Sequence, residues 1–185
     1  MAALSAFLTW RIWSGVFLVS ALAAMSLGTA SCKKPAIGES TARVTIKGRT
    51  YTLDLALDPK TREKGLGGRD SIPETGGMLF VFPRAERLSF LMRDCPVPID
   101  VIFLDSAGRV TATHAMLPEA PRGEDEKELN IFGINEKYEL RLKKYPSRSP
   151  AQFAIELRGG ELEKLQVKVG DKIDLDLAAL KARAK

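Results

Sequence analysis

Between Gly76 and Asp105 the chain reads GGMLFVFPRAERLSFLMRDCPVPIDVIFLD. This stretch sets one carboxylate, Asp100, inside an apolar run and a tight polar loop, Met92-Arg93-Asp94-Cys95, just before it. If residues 99–104 form a strand, Asp100 shares a face with Ile102 and Leu104, while Ile99, Val101 and Phe103 face the other way. A carboxylate among such neighbours must be hydrogen-bonded, paired or neutralised. The first expectation is that Asp100 accepts backbone N–H groups from loop 93–98 and pins that turn. The second is an acid–base or ligand-orienting role together with Arg69 or Arg93.

Cys95 lies two residues from a guanidinium, which favours a thiolate. Asp94 opposes ionisation, however, and the only histidine, His114, lies across an expected hairpin. Cys95 is therefore expected to be a plain small residue before Pro96. One imidazole and one thiol in the domain make no zinc site, and Glu124-Asp125-Glu126 lacks the ligand spacing of a calcium loop. No phosphate loop, nucleophile elbow, HExxH or CxxC occurs, so no cofactor or metal is expected and no catalytic residue is assigned. The candidate binding residues are Arg69, Gly77, Met92, Arg93, Asp94, Cys95, Pro98 and Asp100, on loops 65–77 and 92–98.

These groups must be positioned by a compact set of elements. Residues 43–46 and 51–57 alternate apolar and polar around the turn Lys47-Gly48-Arg49, a hairpin pattern. Asp58-Pro59 predicts an N-cap and a first helical residue, with a helix to Lys64 stopped by Gly65. Met78–Phe82 reads as a buried strand ended by Pro83, with 88–92 returning beside it. A hairpin is expected over 99–104 and 109–113. Residues 121–136 read as a surface insertion, and Tyr138, Leu140 and Leu142 as an extra strand. Further expectations are a strand over 153–157, a helical turn over 161–165, a last strand over 172–177 and a frayed basic tail over 178–185. The fold class is mainly β or α+β: a small barrel or sandwich-like single domain with one or two short helices. The strand spacing, without long helices, argues against a parallel βαβ sheet.

The start of the chain predicts where it acts. Residues 1–31 contain no acid and one base, Arg11, before an apolar stretch over 12–28 and the small residues Thr29-Ala30-Ser31. That is the layout of a secretory signal, and Cys32 directly after it is the expected lipidation site of a bacterial lipoprotein. Cleaved soluble export and an uncleaved anchor are the alternatives, since the apolar core is at the short limit for spanning a bilayer. Residues 32–42 then form a polar tether, with Lys33 and Lys34 near the headgroups. Lipidation leaves Cys95 alone; without it, a Cys32–Cys95 bridge is open. Localisation is expected at the cell envelope, with the membrane as one partner and a small molecule or an envelope protein as the other. The net charge of +5 comes from bases scattered among acids, so no nucleic-acid partner is expected.

The ordered motifs Pro59…Arg62…Lys64-Gly65-Leu66…Arg69, Gly77-Met78-Leu79-Phe80-Val81-Phe82, Phe90-Leu91-Met92 and Pro98-Ile99-Asp100-Val101-Ile102-Phe103-Leu104-Asp105 resemble the DUF192 family. So do Tyr145…Ser147…Pro150-Ala151, Ile155-Glu156-Leu157…Gly160 and Gly170-Asp171. The resemblance spans residues 43–177 and implies a compact, mainly β domain, often exported, with no established activity. Where the family usually reads Phe-Trp-Met-Lys-Asn-Thr, this chain has Phe90-Leu91-Met92-Arg93-Asp94-Cys95, and its segment after Pro118 is longer.

Overall fold

The structure, a computed structural model, describes residues 37–130 and 134–185. The signal segment, Cys32 and the start of the tether lie outside the described residues, as does the middle of the expected insertion. The elements are β1 (Thr41–Ile46), β2 (Arg49–Ala56), α1 (Pro59–Lys64), β3 (Gly77–Glu86), β4 (Ser89–Phe90), β5 (Ile99–Leu104) and β6 (Val110–Met116). A 3-10 turn (Glu124–Glu126), α2 (Glu136–Arg141), β7 (Tyr145–Pro146), β8 (Ala151–Arg158), α3 (Glu161–Leu165) and α4 (Leu177–Lys181) follow.

Six strands form one open, mixed sheet in the order β1-β2-β3-β8-β5-β6, and β4 pairs with β7 in a second, small sheet. The mainly β class is as expected, but no barrel closes. The Lys47-Gly48 turn has positive φ at both residues, the geometry that matches hairpin twist. Asp58 caps α1 through Thr61 N–H at 3.0 Å, as its sequence demands. As expected, the sheet is not a parallel βαβ sheet: its pairings are antiparallel except that of β2 with β3, which run parallel and are joined through α1. The crossover is residues 57–76, α1 with the loop that follows it, which is long enough to carry the chain back to the start of a parallel neighbour.

Strand β8 lies between β3 and β5 and pairs with both, so it is buried on both faces. One face packs Leu53, Leu79, Ile102, Phe153 and Ile155 against Leu165, Leu175 and Leu180 of the C-terminal segment. The other packs Met78, Phe80, Val101 and Phe103 against Leu66, Leu88 and Met92.

Five expectations are corrected. Strand β3 continues past Pro83 to Glu86 through a register break between Val81 and Glu86, where Gln152 Nε2 donates to the Phe82 and Pro83 carbonyls. The return segment does not pair with β3: Phe90 pairs with Tyr145 instead. The expected strand over Tyr138, Leu140 and Leu142 is instead α2 with Leu142 as its C-cap, because Asn135 caps Tyr138 N–H at 2.9 Å and Tyr138 and Leu142, four apart, are the buried pair while Leu140 is 81% exposed. Residues 172–177 make only the Arg109–Lys172 bridge, and the tail is not frayed at its start: residues 178–181 belong to α4, whose Leu180 is buried.

Candidate functional site

Two carboxylates sit in the sheet interior, on opposite faces. Asp100 on β5 lies opposite Leu157, and its side chain faces the α3 side as its register predicts. Its acceptor role is as expected, but its partners are not loop 93–98. Oδ2 accepts Leu162 N–H at 2.7 Å, with the Gly160 and Glu161 N–H groups also directed at the carboxylate. Asp100 thus holds the start of α3. Burial raises its pKa, the three N–H groups pull it back down, and the nearby Glu161 charge adds to the rise.

Glu156 on β8 lies opposite Val101 on the other face. It is 5% exposed, and its Oε2 has no hydrogen-bond partner. Burial raises its carboxyl to about 8, against the opposing pull of the Leu66 N–H and the Arg69 charge. The side chain forms part of a cleft of about 270 Å³ between α1, its glycine exit and the segment of β4. Phe80, Phe82, Leu88, Phe90 and Leu91 supply the apolar wall. Gly65, at φ 52°, lies over the carboxyl: a Cβ there would stand 3.6 Å from Oε2 and 3.4 Å from Phe80 Cζ. Arg62 lines the same cleft, donating to the Leu57, Val81 and Lys185 carbonyls at 2.8, 3.0 and 2.8 Å. Its guanidinium stands 5.1 Å from the Phe82 ring centroid.

The polar loop divides between this cleft and a second one. Arg93 reaches the first cleft's wall but is held by a two-pronged pair to Glu139 at 2.5 and 2.9 Å. Asp94, at φ 50°, accepts Arg122 Nε and Nη2, both at 2.8 Å, and donates its N–H to Tyr138 Oη at 3.0 Å. Arg122 and Arg141 flank the Tyr138 ring at 3.9 and 4.7 Å. Both charged departures in the loop, Arg93 and Asp94, therefore pair with the segment that follows Pro118. Met92, Asp94, Pro96, Pro121 and Tyr138 bound the second cleft, of about 380 Å³.

The remaining candidates have structural work. Met92 is core. Arg69 pairs with Asp54 at 2.7 Å rather than with its neighbour Asp70, and it lines neither cleft. Pro98 O accepts Gly159 N–H at 2.9 Å where the two chains cross. Gly77 brings β3 against the Glu156 carbonyl. His114 bonds Pro146 O at 2.8 Å and stands edge-on between Phe103 and Tyr145. Among the described residues, no group of three or more His, Cys, Asp or Glu is placed to hold a metal ion.

Cys95 Sγ donates to Arg93 O at 3.3 Å, and burial, then the Glu156 and Asp94 charges, push its thiol up to about 12. Its reaction with iodoacetamide at pH 7 is expected to be at least tenfold slower than that of an exposed cysteine peptide, followed by mass spectrometry. A rate equal to the peptide's would reinstate the nucleophile.

Sequence reasoning passed over Glu156. Its signal was present: it is the one charged residue in Phe153-Ala154-Ile155-Glu156-Leu157, a strand apolar on both faces.

Two solved structures are similar to this chain. A protein of Sinorhizobium meliloti 1021, provisionally described as a transcription regulator, is 28% identical over 71% of this chain and 88% of its own, with TM-score 0.53. A protein of unknown function from Novosphingobium aromaticivorans DSM 12444 is 22% identical over 77% and 93%, with TM-score 0.55. No curated protein matches. The family model for DUF192, an uncharacterised ACR, matches residues 42–175, from the first strand to the segment before α4. The chain belongs to the DUF192 family.

Proposed function

We propose that this chain is a cell-envelope binding module, tethered to a membrane through lipidated Cys32, whose ligand site is the cleft above Glu156. The observation that carries the reading is the buried Glu156 oxygen without a partner, in a cleft walled by Phe80, Phe82 and Phe90. An unmet buried polar atom costs about 1–3 kcal/mol, so a ligand that satisfies it recovers that cost. A few polar groups in an apolar concavity are the usual composition of a small-molecule site. The leader sequence, with Cys32 after Thr29-Ala30-Ser31, supports the tether.

The test is a thermal-shift screen of the full-length protein in nanodiscs against sugars, nucleotides, small acids and amines, and envelope fragments. It is run beside Leu91→Trp, which fills the cleft mouth. A compound at 100 times its Kd should stabilise wild type by about 2.7 kcal/mol and leave Leu91→Trp unmoved. Shifts of equal size in both proteins, or none at all, would remove the cleft as a ligand site. In the same cells, Cys32→Ala should leave the membrane fraction, and retention there would remove the lipid tether.

A further inference from the structure

The chemistry of the cleft narrows its ligand, on the footing that the cleft is a binding site. A buried carboxyl with no ion-pair partner is cheaper to keep protonated than charged, and burial outweighs the pull of the Arg69 charge on Glu156. A protonated carboxyl is a hydrogen-bond donor, and Glu156 Oε2 has nothing to donate to. The group missing from the cleft is therefore an acceptor oxygen. Charge at the rim points the same way. Arg62 and Lys64 line the cleft side by side; the three hydrogen bonds of Arg62 go to the main-chain oxygens of Leu57, Val81 and Lys185, and the Asp58 and Glu86 charges act on it from outside the cleft lining. Arg93 is paired with Glu139 at 2.5 Å and with Glu63, the acid lining the rim, at 3.7 Å, which leaves Arg62 and Lys64 as the cations of the lining without a carboxylate of the cleft against them. The Phe80, Phe82 and Phe90 rings, with Phe80 and Phe90 edge-to-face at 5.0 Å, present apolar surface to the rest of the molecule. A cleft of about 270 Å³ suits a ligand of roughly one ring or a short chain.

We propose that the cleft binds a small monocarboxylate with an apolar body, its carboxylate receiving the Glu156 O–H and its body lying on Phe82 and Phe90. The bond so formed is a short O–H···O⁻ contact, among the stronger hydrogen bonds. Arg62 and Lys64 supply the field that draws the anion in. An ammonium ligand would instead have to ionise Glu156 and approach past two cations.

The test is calorimetric titration of the full-length protein in nanodiscs with benzoate, benzamide and benzylamine, with empty nanodiscs as the blank. Titrations run at about pH 6 and about pH 10, either side of the value near 8 for Glu156. Other charged or titratable groups line the cleft, namely Arg62, Glu63 and Lys64 from α1 and Arg93 and Cys95 after β4, and the Arg69 charge acts on Glu156 from outside it. The difference between wild type and Glu156→Gln isolates the carboxyl from all of them.

Benzoate should bind wild type at least tenfold tighter at the lower pH, and tighter than benzamide or benzylamine. Glu156→Gln keeps a donor, so it should bind benzoate with that extra pH dependence abolished. Glu156→Leu should weaken benzoate tenfold or more. Preferential binding of benzylamine, or benzoate binding whose pH profile survives in Glu156→Gln, would overturn the monocarboxylate while leaving the cleft as a site. Absence of all three from the cleft also overturns it, and the broader screen against Leu91→Trp then decides the cleft itself.

Discussion

Replacing Gly77 with alanine is expected to be among the most damaging single changes in the domain. A Cβ at this position would stand 2.2 Å from the Glu156 carbonyl oxygen, and 3.0 and 3.1 Å from methyl carbons of Leu53 and Leu157. The first contact is with backbone, so no rotamer relieves it. The oxygen belongs to β8, paired here with β3, and moving it opens the middle of the six-stranded sheet. Gly77 also sits at φ 150°, which L side chains rarely adopt. Overpacking and backbone strain each cost about 1–3 kcal/mol, so a loss of about 4 kcal/mol or more is expected. Gly48→Ala is the control, because Gly48 has positive φ but nothing within 4 Å of a Cβ. It should cost about 1–2 kcal/mol, from strain alone. Urea denaturation of both variants compares them, and equal midpoints would show that the close approach at Gly77 is relieved some other way. Gly77 was an attractive binding-loop residue in the sequence, and its structural task is to let two strands touch.

Asp100→Asn is expected to lower stability by about 2–3 kcal/mol at neutral pH while leaving the cleft's ligand binding intact. Leu162 N–H at 2.7 Å and its two neighbours at the start of α3 point at the carboxylate. An amide offers them one acceptor and turns an NH2 donor toward other donors, which leaves buried N–H groups unmet. The pH dependence has a definite sign. Burial raises the Asp100 pKa in the folded protein, so the folded state binds its proton more tightly than the unfolded state does. Wild type therefore gains most from this group below the unfolded carboxylate pKa and loses that gain as pH rises through the folded value. The gap between wild type and Asn, which does not titrate, narrows over that window. A melting curve unchanged from wild type, coupled with lost binding, would return Asp100 to a functional role. The geometry argues against that outcome, since Asp100 and Glu156 project from opposite faces of the sheet.

For part of the chain, local rules already sufficed. The alternation in β1 and β2, the Lys47-Gly48 turn, the Asp58-Pro59 start of α1 and the Asp100 face all followed from sterics within a few residues. Where the expectation failed, the local pattern admitted two answers. Tyr138, Leu140 and Leu142 fit a strand period of two, but Tyr138 and Leu142 equally fit one helical face, and the Asn135 cap with Tyr138 packed between Arg122 and Arg141 selects the helix. Residues 172–177 alternate as a strand would, yet they find only one bridge partner, on Arg109.

The sequence by itself determined the class of the domain, most of its strands, its family and the side of β5 on which Asp100 lies, because pleat and helix periods act between near neighbours. Only the tertiary structure decided that β8 runs between β3 and β5, that Arg93 and Asp94 are consumed by Glu139 and Arg122, and that Glu156 is left without a partner beneath an aromatic cleft. A hydrogen bond between residues dozens of positions apart depends on how the chain returns, and no local period encodes that. The unmet oxygen of Glu156 is a property of all the neighbours that surround it, which exist together only once the sheet has formed.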